Sequence, residues 1–105
     1  MINKILGWRF GRVAVHGPSM APHLKHGDWV IVRCQVRPRV GDVALVRLPD
    51  GGLAVKRLIR RVRDGWWVEG DNAYASTDSR QFGAIPEDAV LGRVIFRYWP
   101  LRRRA

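Results

Sequence analysis

Apolar residues recur at alternate positions in short runs along this chain, and each run ends at glycine, proline or aspartate. That period of two, with such punctuation, predicts strands rather than helices. Val13 and Val15 mark a short strand over Arg12–His16 that stops at Gly17-Pro18. Trp29–Cys34 follows the Gly27-Asp28 turn, with Trp29, Ile31 and Arg33 on one face. Asp42–Leu48 opens after Gly41-Asp42 and closes at Pro49-Asp50-Gly51-Gly52, the clearest hairpin signal, which joins it to Leu53–Val62. Arg63-Asp64-Gly65 turns the chain into Trp66–Glu69, and a last strand runs from Leu91 to Tyr98. Trp66 and Trp67 are adjacent, so one faces the core and the other faces outward. Helix is expected only as a turn around Ser19–Lys25 and another near Pro86–Ala89. The pattern predicts an all-β fold: one compact domain of curled antiparallel sheet over a single core, with minimal helix.

Length and composition narrow this picture. The 105 residues, 47% of them hydrophobic, are enough for one domain and one buried core, which excludes disorder. Residues 1–10 read as an N-terminal extension and 101–105 as a basic, solvated tail. Cys34 is the single cysteine, so no internal disulfide forms, which fits a reducing compartment. No window holds the ~18 apolar residues of a membrane span. Residues 1–16 intersperse Lys4, Arg9 and Arg12 among apolar residues, without the core or cleavage site of a secretory signal. They read as the entry into the first strand in preference to an amphipathic segment on a membrane surface. Cytoplasmic placement is therefore expected, with peripheral membrane contact as the alternative. The 19 basic residues against 9 acidic ones give a net charge of +10. That excess favours anionic partners or simply solubilises the surface.

Candidate chemistry lies in three segments. Ser19 stands in Gly17-Pro18-Ser19-Met20-Ala21-Pro22, where flanking prolines stiffen the backbone and fix the direction of its hydroxyl. Taken alone it is an ordinary turn serine. Lys56 shares one face of its strand with Ala54 and Leu58, an apolar setting that disfavours the ammonium form. Taken alone it is a snorkelling surface lysine. Beyond the Gly70-Asp71-Asn72 turn, Ser76, Asp78 and Arg80 follow at alternate positions, which places all three on one side of an extended segment. Ser76 is then placed to exchange a hydrogen bond with the lysine amine, and Asp78 and Arg80 to pair and pin the segment. A serine becomes a nucleophile when such an oriented base removes its proton.

These residues resemble the type I signal peptidases, which use a Ser–Lys dyad on a β-rich fold. The resemblance rests on Pro18-Ser19-Met20 with Pro22, then Gly27-Asp28-Trp29-Val30, then Lys56-Arg57, then Gly70-Asp71-Asn72 through Ser76, Asp78, Ser79, Arg80 and Gly83. The four boxes occur in family order and span about Val15 to Gly83. The resemblance implies that Ser19 is the nucleophile, Lys56 the general base and Ser76 the residue that orients it. It also implies that Asp78 and Arg80 support the site and that the Ser19 backbone N–H contributes to the oxyanion hole. Position 17 is glycine, where some of these enzymes carry a hydroxyl as a second oxyanion donor. Relative to the larger enzymes the chain reads as a minimal catalytic core, without membrane anchor or large insert.

A narrower resemblance is to the nickel-type superoxide dismutase maturation proteases, carried by Gly65-Trp66-Trp67-Val68 and Arg97-Tyr98-Trp99-Pro100 together with the compact length. It implies a serine endopeptidase that removes a short leader from the dismutase precursor, with that precursor as partner and no cofactor. Other readings compete. A general signal peptidase would cleave secretory signal peptides at a membrane. A self-cleaving repressor-like domain would also use a Ser–Lys dyad, but no DNA-binding module is expected here. A basic nucleic-acid-binding β-domain would stack bases on exposed tryptophans, although no nucleic acid is expected as partner. His16, His23, His26, Asp28 and Cys34 lie close in sequence but lack metal-site spacing, and no metal is expected. Cys34 has no evident base that would make it a nucleophile.

Overall fold

In the computed structural model, which describes residues 3–5 and 9–100, the chain forms eight strands that join edge to edge in one antiparallel sheet. They are β1 (Asn3–Ile5), β2 (Phe10–Ala14), β3 (Trp29–Cys34), β4 (Val43–Arg47), β5 (Leu53–Val62), β6 (Gly65–Glu69), β7 (Ile85–Pro86) and β8 (Val90–Trp99). Their order across the sheet is β1-β2-β3-β8-β4-β5-β6-β7. The fold is mainly β, as the alternation predicts, and β3 and β5 have the predicted bounds. The first long strand is displaced: it runs Phe10–Ala14, and Val15 instead pairs with the far end of the next loop. Residues 3–5 pair with β2 rather than standing off as an extension. The basic tail at 101–105 lies outside the described residues.

The hairpin between β4 and β5 forms as its turn chemistry dictates. Asp50 Oδ1 accepts the Gly52 N–H at 2.8 Å, and Leu48 exchanges backbone bonds with Gly51 and Gly52. That turn sets a register in which Ala44 lies opposite Lys56 and Val46 opposite Ala54.

The sheet curls enough to bury both faces of β4, so Val43, Ala44, Leu45 and Val46 are all buried. The core consequently divides in two. Val43 and Leu45 join Val13, Val30, Val32, Val55, Met20 and Leu24 on one side. Ala44 and Val46 join Leu58, Trp66, Val68 and Ile85 on the other. Directly opposed residues of an antiparallel pair share a face. Lys56 therefore lies on the face of Ala44 and Leu58, against the second core. Trp66 is buried, while Trp67 is half-buried under the Arg60 guanidinium with its indole N–H on Glu69.

The turn expected around Ser19–Lys25 is present, and within it the Leu24 N–H reaches Met20 O at 2.9 Å. A short helix that was not expected is α1, Ser79–Phe82. Asp78 caps its first turn and Gln81 returns a bond to the Asp78 N–H, a reciprocal capping box. Near Pro86 the expected turn is present as a 3-10 turn at Glu87–Ala89.

Candidate active site

Lys56 is carried by β5. Lys56 is 4% exposed, facing the small side chain of Ala44, which is fully buried, across the ladder. Its Nζ donates to Ser76 Oγ at 2.9 Å. Burial pushes the Lys56 amine below its ordinary value. The Asp78 carboxylate partly opposes that shift, and the Arg80 cation reinforces it. The period-two argument from Ala54 and Leu58 thus leads to a desolvated amine.

The direction of the Ser76 bond follows from its other partner. Ser76 Oγ donates to Asp78 Oδ2 at 2.6 Å, so its single proton is committed and a lone pair faces the lysine. An amine N–H held in this way fixes the rotation of Nζ and leaves its own lone pair aimed elsewhere.

Asp78 is fully buried and gathers donors on both oxygens. Oδ2 accepts from Ser76, from the Gly70 N–H at 2.8 Å and from Arg80 Nη2 at 2.6 Å. Oδ1 accepts from the Arg80 backbone N–H at 3.1 Å and Arg80 Nε at 3.0 Å. Burial pushes this carboxyl up, but the hydrogen bonds from Arg80, Ser76 and Gly70 together hold it well below the usual carboxylate range. It therefore stays ionised. The three residues converge as anticipated, by a different route. Ser76 is extended, but the chain turns into α1 at Asp78, so capping rather than strand alternation brings Arg80 back onto Asp78.

The loop that carries Ser19 is tied to this segment. Asn72 N–H donates to Ser19 O at 2.8 Å, Asn72 Nδ2 donates to Pro18 O at 3.2 Å, and Asp71 N–H reaches Met20 Sδ at 3.4 Å. Met20 and Leu24 are buried in the first core and anchor the loop from below. Gly70 makes this approach possible. A Cβ there would stand 2.6 Å from Ser19 O and would collide with Ser76 Oγ. Ser19, half-buried, thus lies beside the residue that holds Lys56. Among the described residues the hydrogen bond from Lys56 Nζ runs to Ser76 Oγ, and none joins it to Ser19 Oγ.

Sequence reasoning gave no structural role to three other contributors. Arg57 grips both oxygens of Asp71 at 2.8 Å and the Gly41 carbonyl at 2.8 Å, which pins β5 to the 70–72 loop. That partner raises the Arg57 guanidinium and lowers the Asp71 carboxyl from their ordinary values. Ser79 Oγ accepts the Val68 N–H at 2.8 Å and fastens α1 to β6. His26 Nδ1 accepts the Gly17 N–H at 2.8 Å. This last bond bears on the glycine at position 17, whose N–H is already committed. Pro18 has no N–H, so the next main-chain donor after Gly17 is that of Ser19. Among the described residues no cluster of histidine, cysteine and acidic side chains could hold a metal ion.

Comparison with known proteins places this chain in a class. The Peptidase S24-like family matches residues 10–95, and the chain belongs to it. It is a peptidase, a hydrolase of peptide bonds. Mitochondrial ATP-independent inner membrane protease subunit 1a of Arabidopsis thaliana is 34% identical over 115 aligned residues, covering 82% of this chain and 68% of the relative. Mitochondrial inner membrane protease subunit 1 of Homo sapiens is 29% identical, covering 87% of this chain and 70% of the relative. Signal peptidase IB of Staphylococcus aureus (strain N315) is 58% identical over 87 residues, covering 79% of this chain and 38% of the relative. The resemblance to signal peptidases carried by the four boxes thus extends along most of the sequence.

Proposed function

We propose that this chain is a serine endopeptidase that uses Ser19 and Lys56 to remove a short N-terminal leader from a precursor protein. The observation that carries the reading is the buried Lys56 amine, lowered by desolvation and fixed through Ser76 to an ionised Asp78. Neutral Lys56 takes the Ser19 hydroxyl proton as Oγ attacks the scissile carbonyl carbon. The Ser19 N–H receives the developing oxyanion. Collapse of the tetrahedral intermediate breaks the C–N bond, and Lys56 returns its proton to the leaving amine. Water, deprotonated by the same amine, then hydrolyses the acyl-serine.

The substrate we assign is the nickel-type superoxide dismutase precursor. Its support is the Gly65-Trp66-Trp67-Val68 and Arg97-Tyr98-Trp99-Pro100 resemblance. A general signal peptidase acting at a membrane surface is the second reading. Ile95, Phe96 and Trp99 stand exposed on β8, although no described helix is long and apolar enough to cross a bilayer. One experiment separates the two. The protein is incubated with a dismutase precursor, and in parallel with a secretory precursor in anionic vesicles, and leader loss is followed by mass spectrometry. Cleavage of the first by the wild type and not by Ser19→Ala supports the assignment. Cleavage of the secretory precursor alone would replace it with the second reading.

A further inference from the structure

The loop that carries Ser19 is gripped on both sides, and the two grips differ chemically. On the carboxyl side, the Pro18 and Ser19 carbonyls are held by the side-chain amide and backbone N–H of Asn72, neither of which titrates near neutral pH. On the amino side, the Gly17 N–H is held by His26 Nδ1 across nine positions. Gly17 has φ of +80°, a left-handed conformation that glycine tolerates but does not by itself enforce. Pro18 has no N–H, so the Gly17 donor is the last main-chain N–H before the nucleophile. His26 reaches it because the base of the loop is closed by Val15, which exchanges backbone bonds with Asp28 at 2.7 Å and Gly27 at 2.9 Å.

An Nδ1 that accepts a hydrogen bond carries no proton, so this imidazole is neutral with its hydrogen on Nε2. A second proton would set one N–H against another and break the grip. His16 meets the ring edge-on, with centroids 5.3 Å apart. On its own loop the neighbouring charged groups are Lys25 and Asp28, and Asp28 Oδ2 accepts the Lys25 N–H.

We propose that His26 is a positioning residue for Ser19: its neutral ring holds Gly17, and through it the orientation of the Ser19 N–H and Oγ, and protonation releases that hold. The proposal rests on the Ser19–Lys56 reading. It adds a second acid-side loss of activity, separate from the protonation of Lys56.

The test combines the pH profile of kcat/KM for precursor cleavage with 15N NMR of the Gly17 amide and the His26 ring. In the wild type, activity should fall with acid in two waves, one of which coincides with the His26 ring titration and with a shift of the Gly17 amide. His26→Asn places Oδ1 where Nδ1 stood and does not titrate. It should lose that wave while staying within about threefold of wild type above it. His26→Ala removes the acceptor and should lower kcat roughly three- to tenfold across the pH range, with little change in KM. The proposal is overturned if His26→Asn keeps the second wave, if His26→Ala matches wild type, or if the Gly17 amide ignores the His26 titration. Should His26→Ala fail to fold, the asparagine profile and the wild-type amide still decide. A Ser19→Ala enzyme that cleaved normally would sink the dyad, while the amide titration would continue to test the His26 contact alone.

Discussion

Gly70→Ala adds one methyl group at the point where the Ser19 loop meets the segment that holds Lys56. The added Cβ would lie 2.6 Å from Ser19 O and 2.7 Å from Ser76 Cβ. Normal contact distances require the segments to part by roughly 0.5–1 Å. A displacement near 1 Å in a catalytic constellation costs about 10²-fold in rate. Overpacking of this kind costs about 1–3 kcal/mol of stability, which lowers Tm by roughly 5–20 °C in a domain of this size. The control is Gly92→Ala in β8, where a Cβ meets Arg33 O at 2.9 Å, away from the site. Both variants should lose stability in thermal melts followed by circular dichroism. At a temperature where both remain folded, Gly70→Ala should lose about 10–10²-fold in kcat/KM and Gly92→Ala almost nothing. Wild-type kcat/KM in folded Gly70→Ala, or equal losses in the two variants, would refute the claim that Gly70 sets the spacing between Ser19 and Ser76.

Two further predictions concern the residues behind Lys56. Ser76→Ala removes the acceptor of the Lys56 N–H but leaves Asp78 with Gly70 and Arg80. Activity should fall about 10–10²-fold with only ~1 kcal/mol lost in denaturant melts, and an unchanged rate would remove Ser76 from the site. Asp78→Asn replaces a buried carboxylate that accepts five hydrogen bonds, and should cost about 2–3 kcal/mol at neutral pH. The Asp78 carboxyl is depressed in the fold, so its contribution is complete above the ordinary carboxylate range and is lost as pH falls below ~4. Wild-type stability should therefore drop towards that of Asp78→Asn in acid. Parallel curves from pH 7 to pH 2 would contradict this.

How much of this was legible in the sequence differs by element. The bounds of β3 and β5 followed from alternation cut by Gly-Asp and Pro-Asp-Gly-Gly, because local turn chemistry sets those ends. The insertion of β8 between β3 and β4 was not legible, since it depends on pairings distant in sequence that no local pattern encodes. β7 is two residues long and exists because Gly65 admits the Ile85 backbone, a contact without periodicity. The helix at Ser79 did leave a signal, with Asp78 and Gln81 at capping-box spacing, which the alternation of Ser76, Asp78 and Arg80 obscured. In the site, the apolar neighbours of Lys56 anticipated its burial, and the polar run from Ser76 anticipated its partner. The direction of the Ser76 hydrogen bond, the Arg57–Asp71 clamp and the occupied Gly17 N–H are geometric facts between segments. Only the folded arrangement reveals them.

Lys56→Ala tests the central claim most directly, measured as kcat/KM for leader removal from the precursor on protein shown to be folded by circular dichroism. A buried, oriented amine acting as general base predicts a loss of about 10²–10⁴-fold. Retention of wild-type activity by the folded variant would contradict the account.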